Sequence, residues 1–159
     1  MVGKRPRFLA DVMLGRLARW LRILGYDTAY LHKSNDDFLI YLILEDRGRV
    51  LLTRDVELAA SPILSDGMAF LVRSTKLAEQ IGELREAFGV SRCRPALCAH
   101  CNRRLVSVEK DGLAGRVPDY VLMNKSLFWE CPLCGRVYWE GTHQDGMNRF
   151  LGYDIWSEG

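Results

Sequence analysis

One stretch decides the fold of this chain: Arg49-Val50-Leu51-Leu52-Thr53-Arg54-Asp55. Its apolar run predicts a short strand buried inside a parallel sheet that is covered on both faces. Asp55 follows where the strand leaves the sheet, and ligands of open α/β sheets collect beyond the carboxyl ends of the strands. Because Asp is also a favoured N-cap, Asp55 taken alone is equally well explained as the start of the next helix.

A second stretch, Arg7-Phe8-Leu9-Ala10-Asp11, repeats this arrangement and is followed at once by a helical pattern. If the two strands lie parallel in one sheet, Asp11 and Asp55 emerge at the same edge. Two carboxylates held close together repel each other, and a divalent cation relieves that repulsion. The pair therefore predicts a cation site at the edge of the sheet.

The spacing of apolar residues predicts further helices and strands around these two strands. Helices are expected at residues 12–24, 38–47, 56–60 and 76–88, and strands at residues 26–31 and 68–72. This alternation with short connections is typical of a parallel α/β sheet with right-handed crossovers. The helix at 38–47 is apolar over most of its length, so we expect it to be buried on more than one side.

Acidic residues open that helix, in the sequence Ser34-Asn35-Asp36-Asp37. Acids are favoured at helix N-termini, and this role suffices for one of Asp36 and Asp37. We assign the other as a third metal-facing carboxylate and choose Asp37. Glu57 is a further acid close to Asp55, and a simply exposed position explains it equally well.

Arginines recur at every third position of the first helix, as Arg16, Arg19 and Arg22. Charged runs of this kind are usually solvated helix surfaces. This helix begins beside Asp11, however, and arginines next to a carboxylate cluster suit a phosphate backbone held against metal ions. Both interpretations remain open at this point.

Two C-x-x-C pairs are the most specific signal in the chain: Cys98 with Cys101, and Cys131 with Cys134. Four thiolates suit Zn²⁺ in a closed, tetrahedral, structural site. A redox role is disfavoured because a redox C-x-x-C needs one pair in a βαβ context. Strands that would complete a zinc ribbon are expected at residues 105–108, 120–123 and 137–139.

The remaining cysteine and two of the histidines are left outside this site. Cys93 belongs to neither pair and is interpreted as a spare thiol. His100 and His143 are possible substitute ligands, but four cysteines already complete a tetrahedral shell.

Composition and charge narrow the class of protein. The chain of 159 residues is 48% hydrophobic, which allows a real core, and its net charge of +2 means that any basic surface must be local. No apolar run approaches the roughly 20 residues that cross a bilayer, and the N-terminus has no signal-peptide core. We therefore expect no membrane association and an intracellular, cytoplasmic location, where paired cysteines are metal ligands rather than disulfides.

The chain is expected to divide near residue 95, because residues 90–97 interrupt both periodicities. This gives one domain at 1–95 and the cysteine module at 96–159. Basic and aromatic residues alternate in the module, which suits nucleic-acid binding by charge and stacking. It equally suits a small β module whose aromatic residues form its own core.

Several stretches together resemble the Mut-seven C-terminal ribonuclease family. They are the run from Phe8 to Asp27 (FLADVMLGRLARWLRILGYD), the stretch Leu51 to Asp55 (LLTRD), the two C-x-x-C pairs and the tail Tyr138 to His143 (YWEGTH). The resemblance covers nearly the whole chain. It implies a PIN-like nuclease domain with a parallel sheet flanked by helices, followed by a small β-rich zinc ribbon.

By this resemblance the expected activity is cleavage of RNA at a Mg²⁺ or Mn²⁺ site, with structural zinc in the ribbon. Asp11 and Asp55 match acidic positions of the family, and the middle acid is Asp36 or Asp37. Glu57 and Asp66 are the candidates for a fourth acid, and His143 lies in the tail motif. Three arginines are expected to grip the RNA backbone: Arg16, Arg19 and Arg54. A non-catalytic RNA- or ribosome-associated adaptor with the same fold is the alternative, and a toxin-type PIN nuclease is disfavoured by the appended ribbon.

Overall fold

The structure is a computed structural model that describes residues 3–92 and 95–139. Its main sheet has four parallel strands in the spatial order β2-β1-β3-β4, and a second, antiparallel sheet has the order β5-β6-β7. The strands are β1 (Arg7–Ala10), β2 (Thr28–Tyr30), β3 (Arg49–Thr53), β4 (Ala69–Leu71), β5 (Val106–Val108), β6 (Phe128–Glu130) and β7 (Val137–Trp139). The helices are α1 (Gly15–Ile23), α2 (Asp36–Glu45), α3 (Val56–Ala59), α4 (Leu77–Phe88) and α5 (Asp119–Asn124). The expected mixed α/β class, with a parallel sheet followed by a small β-rich module, is confirmed.

The main sheet is covered by helices on both faces, which explains why β1 and β3 are apolar without alternation. Successive side chains of a strand point to opposite faces. Phe8 and Leu52 accordingly pack in one core with residues of α1 and α4, whereas Leu9 and Leu51 pack in a second core with residues of α2 and α3. Within the described residues, no helix combines the length and the apolar character needed to span a membrane.

The expectation that the helix at 38–47 is buried on more than one side is wrong. The helix, α2, buries Leu39 and Ile43 against the second core, and it leaves Phe38 44% and Tyr41 53% exposed. Only one face of α2 meets the sheet, so the apolar residues on its other face lie at the surface. The apolar sequence of α2 therefore produces an exposed apolar surface and does not indicate that a second element covers the helix.

In the C-terminal module, one predicted strand is a helix, and the middle strand of the sheet lies later in the chain than predicted. Residues 120–123, expected as a strand, belong to α5, which starts after Pro118 with Asp119 in its first turn. Both residues favour a helix start over a strand. The middle strand of the sheet is β6 instead, paired antiparallel with both β5 and β7. Cys93 and His143, named in the sequence analysis, lie outside the described residues.

Candidate metal sites and the contact between the two sheets

Asp11 and Asp55 emerge at the same edge of the main sheet. Strands β1 and β3 are parallel neighbours, with Ala10 opposite Leu52. The backbone N–H of Asp11 continues this pairing by donating to the carbonyl of Leu52 at 2.9 Å. Both acids therefore follow the carboxyl ends of adjacent strands, the place where ligands of open α/β sheets are bound.

Thr53 links these two positions. The side chain of Asp11 is only 5% exposed, and its Oδ2 accepts a hydrogen bond from the Thr53 hydroxyl at 2.7 Å. The same hydroxyl oxygen accepts from the backbone N–H of Asp55 at 3.0 Å. The sequence analysis did not select Thr53. A signal was present, because a hydroxyl at the buried end of an apolar strand needs a hydrogen-bond partner nearby.

Asp55 also caps helix α3, the role that its sequence position alone explains as well as metal binding. Its Oδ1 accepts from the backbone N–H groups of Glu57 at 2.8 Å and Leu58 at 3.0 Å. Capping uses one oxygen of a carboxylate that has two. The cap is therefore compatible with a second role for Asp55.

Asp36, in the first turn of α2, is electrostatically coupled to these acids. Burial and the charges of Asp55, Asp11, Asp37 and Glu57 raise the pKa of Asp36. We call Asp11, Asp36 and Asp55 the acidic rim. Its carboxylates are spread more widely than the cysteine sulfurs, because among the described residues only the cysteines form a group of three or more ligand atoms within 4.8 Å of one another.

The basic residues expected at this edge differ in their surroundings. Arg16 and Arg19 are exposed on α1. Arg54, between Thr53 and Asp55, has a buried Nε that finds no hydrogen-bond partner within the part of the chain that the structure describes. A buried N–H without a partner is costly, so this group is suited to donate a hydrogen bond to an anionic oxygen of a ligand.

The four cysteines come together in the C-terminal module, as the sequence predicts. The sulfurs of Cys98, Cys101, Cys131 and Cys134 lie within 4.8 Å of one another. Burial opposes ionisation of Cys98, but hydrogen bonds from the Tyr138 hydroxyl and from backbone N–H groups outweigh it and lower its pKa to about 7. Burial and the neighbouring sulfurs raise the pKa of Cys101 to about 12. The four sulfurs are so close that their negative charges would repel one another. A divalent cation that binds thiolates relieves that repulsion.

Each C-x-x-C pair forms the same backbone loop. The N–H of Cys98 donates to the carbonyl of Arg103 at 2.8 Å, and the N–H of Cys131 donates to the carbonyl of Arg136 at 2.9 Å. The residue after each second cysteine has a left-handed backbone, with φ of 61° at Asn102 and 74° at Gly135. Glycine adopts this conformation without strain, and Asn is among the side chains that tolerate it.

Asn102 uses its side chain to contact the main sheet. Its Oδ1 accepts from the backbone N–H of Thr28 at 3.1 Å, and its Nδ2 donates to Oδ1 of Asp27 at 2.7 Å. Both oxygens of Asp27 are also held by Arg49, at 2.8 and 3.0 Å. The second loop residue, Gly135, has no side chain that could make such a contact.

Arg22 makes the other half of this contact and is not part of an exposed arginine stripe. It is 7% exposed, and its Nε donates to the carbonyl of Thr28 at 2.9 Å. Its Nη1 donates to the carbonyls of Ala99 at 2.9 Å and His100 at 3.2 Å. Burial lowers the pKa of Arg22, and the nearby Cys98, Cys101 and Asp27 oppose that shift. We call Arg22, Asp27 and Asn102 the docking network.

Acidification is expected to weaken the docking network through Asp27. Burial alone would raise the pKa of Asp27, but the hydrogen bonds from Arg49 and Asn102 outweigh it, so the pKa is lowered. Its stabilising effect is present above the unfolded pKa of about 3.9 and is lost as the pH falls through the lower native pKa. The urea midpoint of the wild type should fall more steeply as the pH is lowered below about 4 than that of Asp27→Asn. Asp66→Asn, at an exposed loop position, should keep the wild-type slope, and parallel curves for all three proteins would refute the prediction.

Comparison with known proteins assigns the family. The model of one protein family, described as the Mut7-C RNAse domain, matches residues 6–151. The comparisons with curated proteins and with solved structures gave no match. The matched region contains the acidic rim, the docking network and all four clustered cysteines. The chain therefore belongs to the Mut7-C RNAse domain family, a ribonuclease-type family.

Proposed function

We propose that this protein is a ribonuclease that hydrolyses RNA phosphodiester bonds with a Mg²⁺ or Mn²⁺ ion at the acidic rim. The observation that carries the proposal is the link from buried Asp11 through the Thr53 hydroxyl to Asp55, with Asp36 near enough for both charges to raise its pKa. Membership in a ribonuclease-type family makes RNA the expected substrate.

The side chains of the rim fit a hard divalent cation. Such ions take oxygen ligands, and a cluster of carboxylates lowers its mutual repulsion by binding one. The ion, when bound, supplies an activated water and neutralises charge on the phosphoryl oxygens. We assign Asp11, Asp36 and Asp55 as its ligands. Asp36 is assigned because it begins α2 and the charges of both Asp11 and Asp55 act on it, and Asp37, the choice made from the sequence, is the alternative ligand.

The other residues of this edge hold the substrate. The Nε of Arg54, which has no partner in residues 3–92 and 95–139, is suited to donate to a phosphate oxygen of the strand, and the exposed Arg16 and Arg19 extend the positive charge along α1. Thr53 and the backbone N–H of Val12 each donate to one oxygen of Asp11, so its carboxylate is held in one orientation. Contacts of arginine with phosphate would make RNA binding weaken steeply with salt.

We propose zinc as the metal of the cysteine cluster. A set of four Cys ligands is typical of closed structural zinc sites, which leave no position open for substrate. The cytoplasm, the location expected from the sequence, would keep these thiols reduced. The zinc site then stabilises the C-terminal module, and the chemistry belongs to the acidic rim.

The proposal predicts that Asp11→Asn and Asp55→Asn abolish cleavage. Changing residues behind metal ligands typically costs about 10–100-fold, so loss of a ligand should lower the cleavage rate by about 100-fold or more. The measurement is cleavage of a labelled single-stranded RNA with Mn²⁺, with Mg²⁺ and with a chelator that removes both. Asp111→Asn, an exposed acid in the turn Lys110–Gly112, is the matched control and should cleave normally.

Two outcomes would contradict this function. Cleavage that survives in Asp11→Asn would place the chemistry elsewhere or trace it to a contaminant. RNA binding without cleavage in any metal would favour the non-catalytic adaptor instead. Calorimetry with Mn²⁺ separates the cases further, because Asp36→Asn should weaken metal binding more than Asp37→Asn.

A further inference from the structure

The helix beside the acidic rim presents a pair of exposed aromatic rings. Phe38 is in the first turn of α2, two residues after Asp36, and Tyr41 is one turn further along. Their ring centroids are 6.1 Å apart and their planes are inclined by only 18°. A stacked pair at the surface offers a flat apolar face, and the sheet does not use it because α2 buries Leu39 and Ile43 instead.

The other two acids of the rim also have exposed apolar neighbours. Met13 follows Asp11 by two residues and is 60% exposed, and Val56 follows Asp55 directly and is 65% exposed. Each acid is at the start of a helical segment that follows a strand of the parallel sheet, so these residues all lie at the edge where the strands end. Apolar side chains that recur around an acidic cluster point to a ligand with both a charged and an apolar part.

The charges of α2 decide which part of an RNA strand would face it. The helix, DDFLIYLILE, contains acidic residues and no basic residue, so it repels phosphate. A neutral base carries no such penalty and gains by stacking on an aromatic ring. The phosphates are better placed toward Arg54, whose Nε is buried without a partner among the described residues.

We propose that Phe38, extended by Tyr41, is a stacking platform for an unpaired base of the RNA strand whose phosphate is bound at the acidic rim. The proposal rests on the function proposed above and narrows its substrate to single-stranded RNA. A duplex keeps its bases stacked inside the helix, where Phe38 cannot reach a base face.

The test is a binding titration with labelled single-stranded RNA in Ca²⁺, which takes oxygen ligands but replaces the Mg²⁺ or Mn²⁺ of the reaction. The wild-type protein, which keeps Asp11, is the background, and a gel of the recovered RNA checks that the strand stays intact. Adding Phe38→Ala should weaken binding about tenfold, the usual size of a lost base–aromatic stack. Phe38→Tyr should bind normally and Phe38→Leu should not, since stacking needs a ring rather than apolar area. Tyr120→Ala, another exposed aromatic residue, is the control and should bind as the background does.

A second titration uses RNA in which one nucleotide at a time is abasic. If Phe38 stacks on a base, one abasic position should weaken binding to the unmodified protein, and the same position should have no further effect on Phe38→Ala. In the cleavage assay, Phe38→Ala should raise KM about tenfold and leave kcat within about twofold.

Three results would overturn the platform. They are unchanged RNA affinity in Phe38→Ala, full binding by Phe38→Leu, and equal binding of duplex and single strand. A wild-type dimer that Phe38→Ala converts to a monomer in sedimentation would show that the rings cover a second copy of the chain instead. Failure of the proposed function is separate: if the wild type does not cleave in Mn²⁺ or Mg²⁺, the binding titrations still test the platform.

Discussion

Replacing Cys98 or Cys131 by Ser is expected to unfold the C-terminal sheet. The four sulfurs form one cluster, and the described part of the C-terminal module, residues 96–139, has two small cores, so metal binding and folding are coupled there. Apparent binding free energies of structural zinc are about 10–16 kcal/mol, which exceeds the stability of most small domains. The measurements are metal content, expected at about one zinc per chain in the wild type and none in the variants, together with circular dichroism and thermal melting.

The control for this experiment is Cys93→Ser, which changes the cysteine that belongs to neither pair. It should keep the metal and the wild-type melting temperature. A C-terminal module that stays folded after its metal is removed would refute the structural role. Retention of zinc in Cys98→Ser would show that another residue completes the shell.

Replacing Arg22 by Met is expected to separate the two sheets and destabilise both. Three carbonyl groups, those of Thr28, Ala99 and His100, lose their hydrogen-bond donor. At about 1–3 kcal/mol for the buried carbonyl of Thr28 and less for the two half-buried carbonyls, the loss is about 3 kcal/mol. For a chain of this size that corresponds to a fall in the melting temperature of about 6–12 °C.

Two further variants show whether the hydrogen bonds or the charge matter. Arg22→Lys keeps the positive charge beside the sulfurs but cannot span three carbonyls, so it should recover only part of the lost stability. Arg19→Met, an exposed change one turn earlier on α1, should melt like the wild type. Equal melting of Arg22→Met and the wild type would mean that the docking network does not join the sheets.

Local sequence was sufficient for most of the main sheet and for the cysteine cluster. β1 and β3 are short apolar runs that end at an acid, and α1 carries an apolar stripe, so each is specified by its own residues. The two C-x-x-C pairs likewise predict a shared metal site without knowledge of the fold. By contrast, residues 120–123 have no clear periodicity, and the helix start at Pro118-Asp119 decided their structure.

The contacts between distant segments could not be read from the sequence. Arg22 follows the same three-residue spacing as the exposed Arg16 and Arg19, and only the position of the cysteine loop makes it a buried donor. Thr53 and Asn102 likewise find partners 42 and 74 residues away in the chain. Helix periodicity says which residues share a face, whereas the partner of that face is set by tertiary packing.

Strand β2 ends the main sheet on one side, and the docking network covers it there. Asn102 and Arg22 occupy the backbone N–H and C=O of Thr28, groups that an outermost strand otherwise offers to any passing chain. The contact with the cysteine loop therefore closes the start of β2 to strand-to-strand association. Stripping the metal should accordingly cause aggregation at protein concentrations where the intact protein stays monodisperse, and light scattering on addition of a chelator would reveal it.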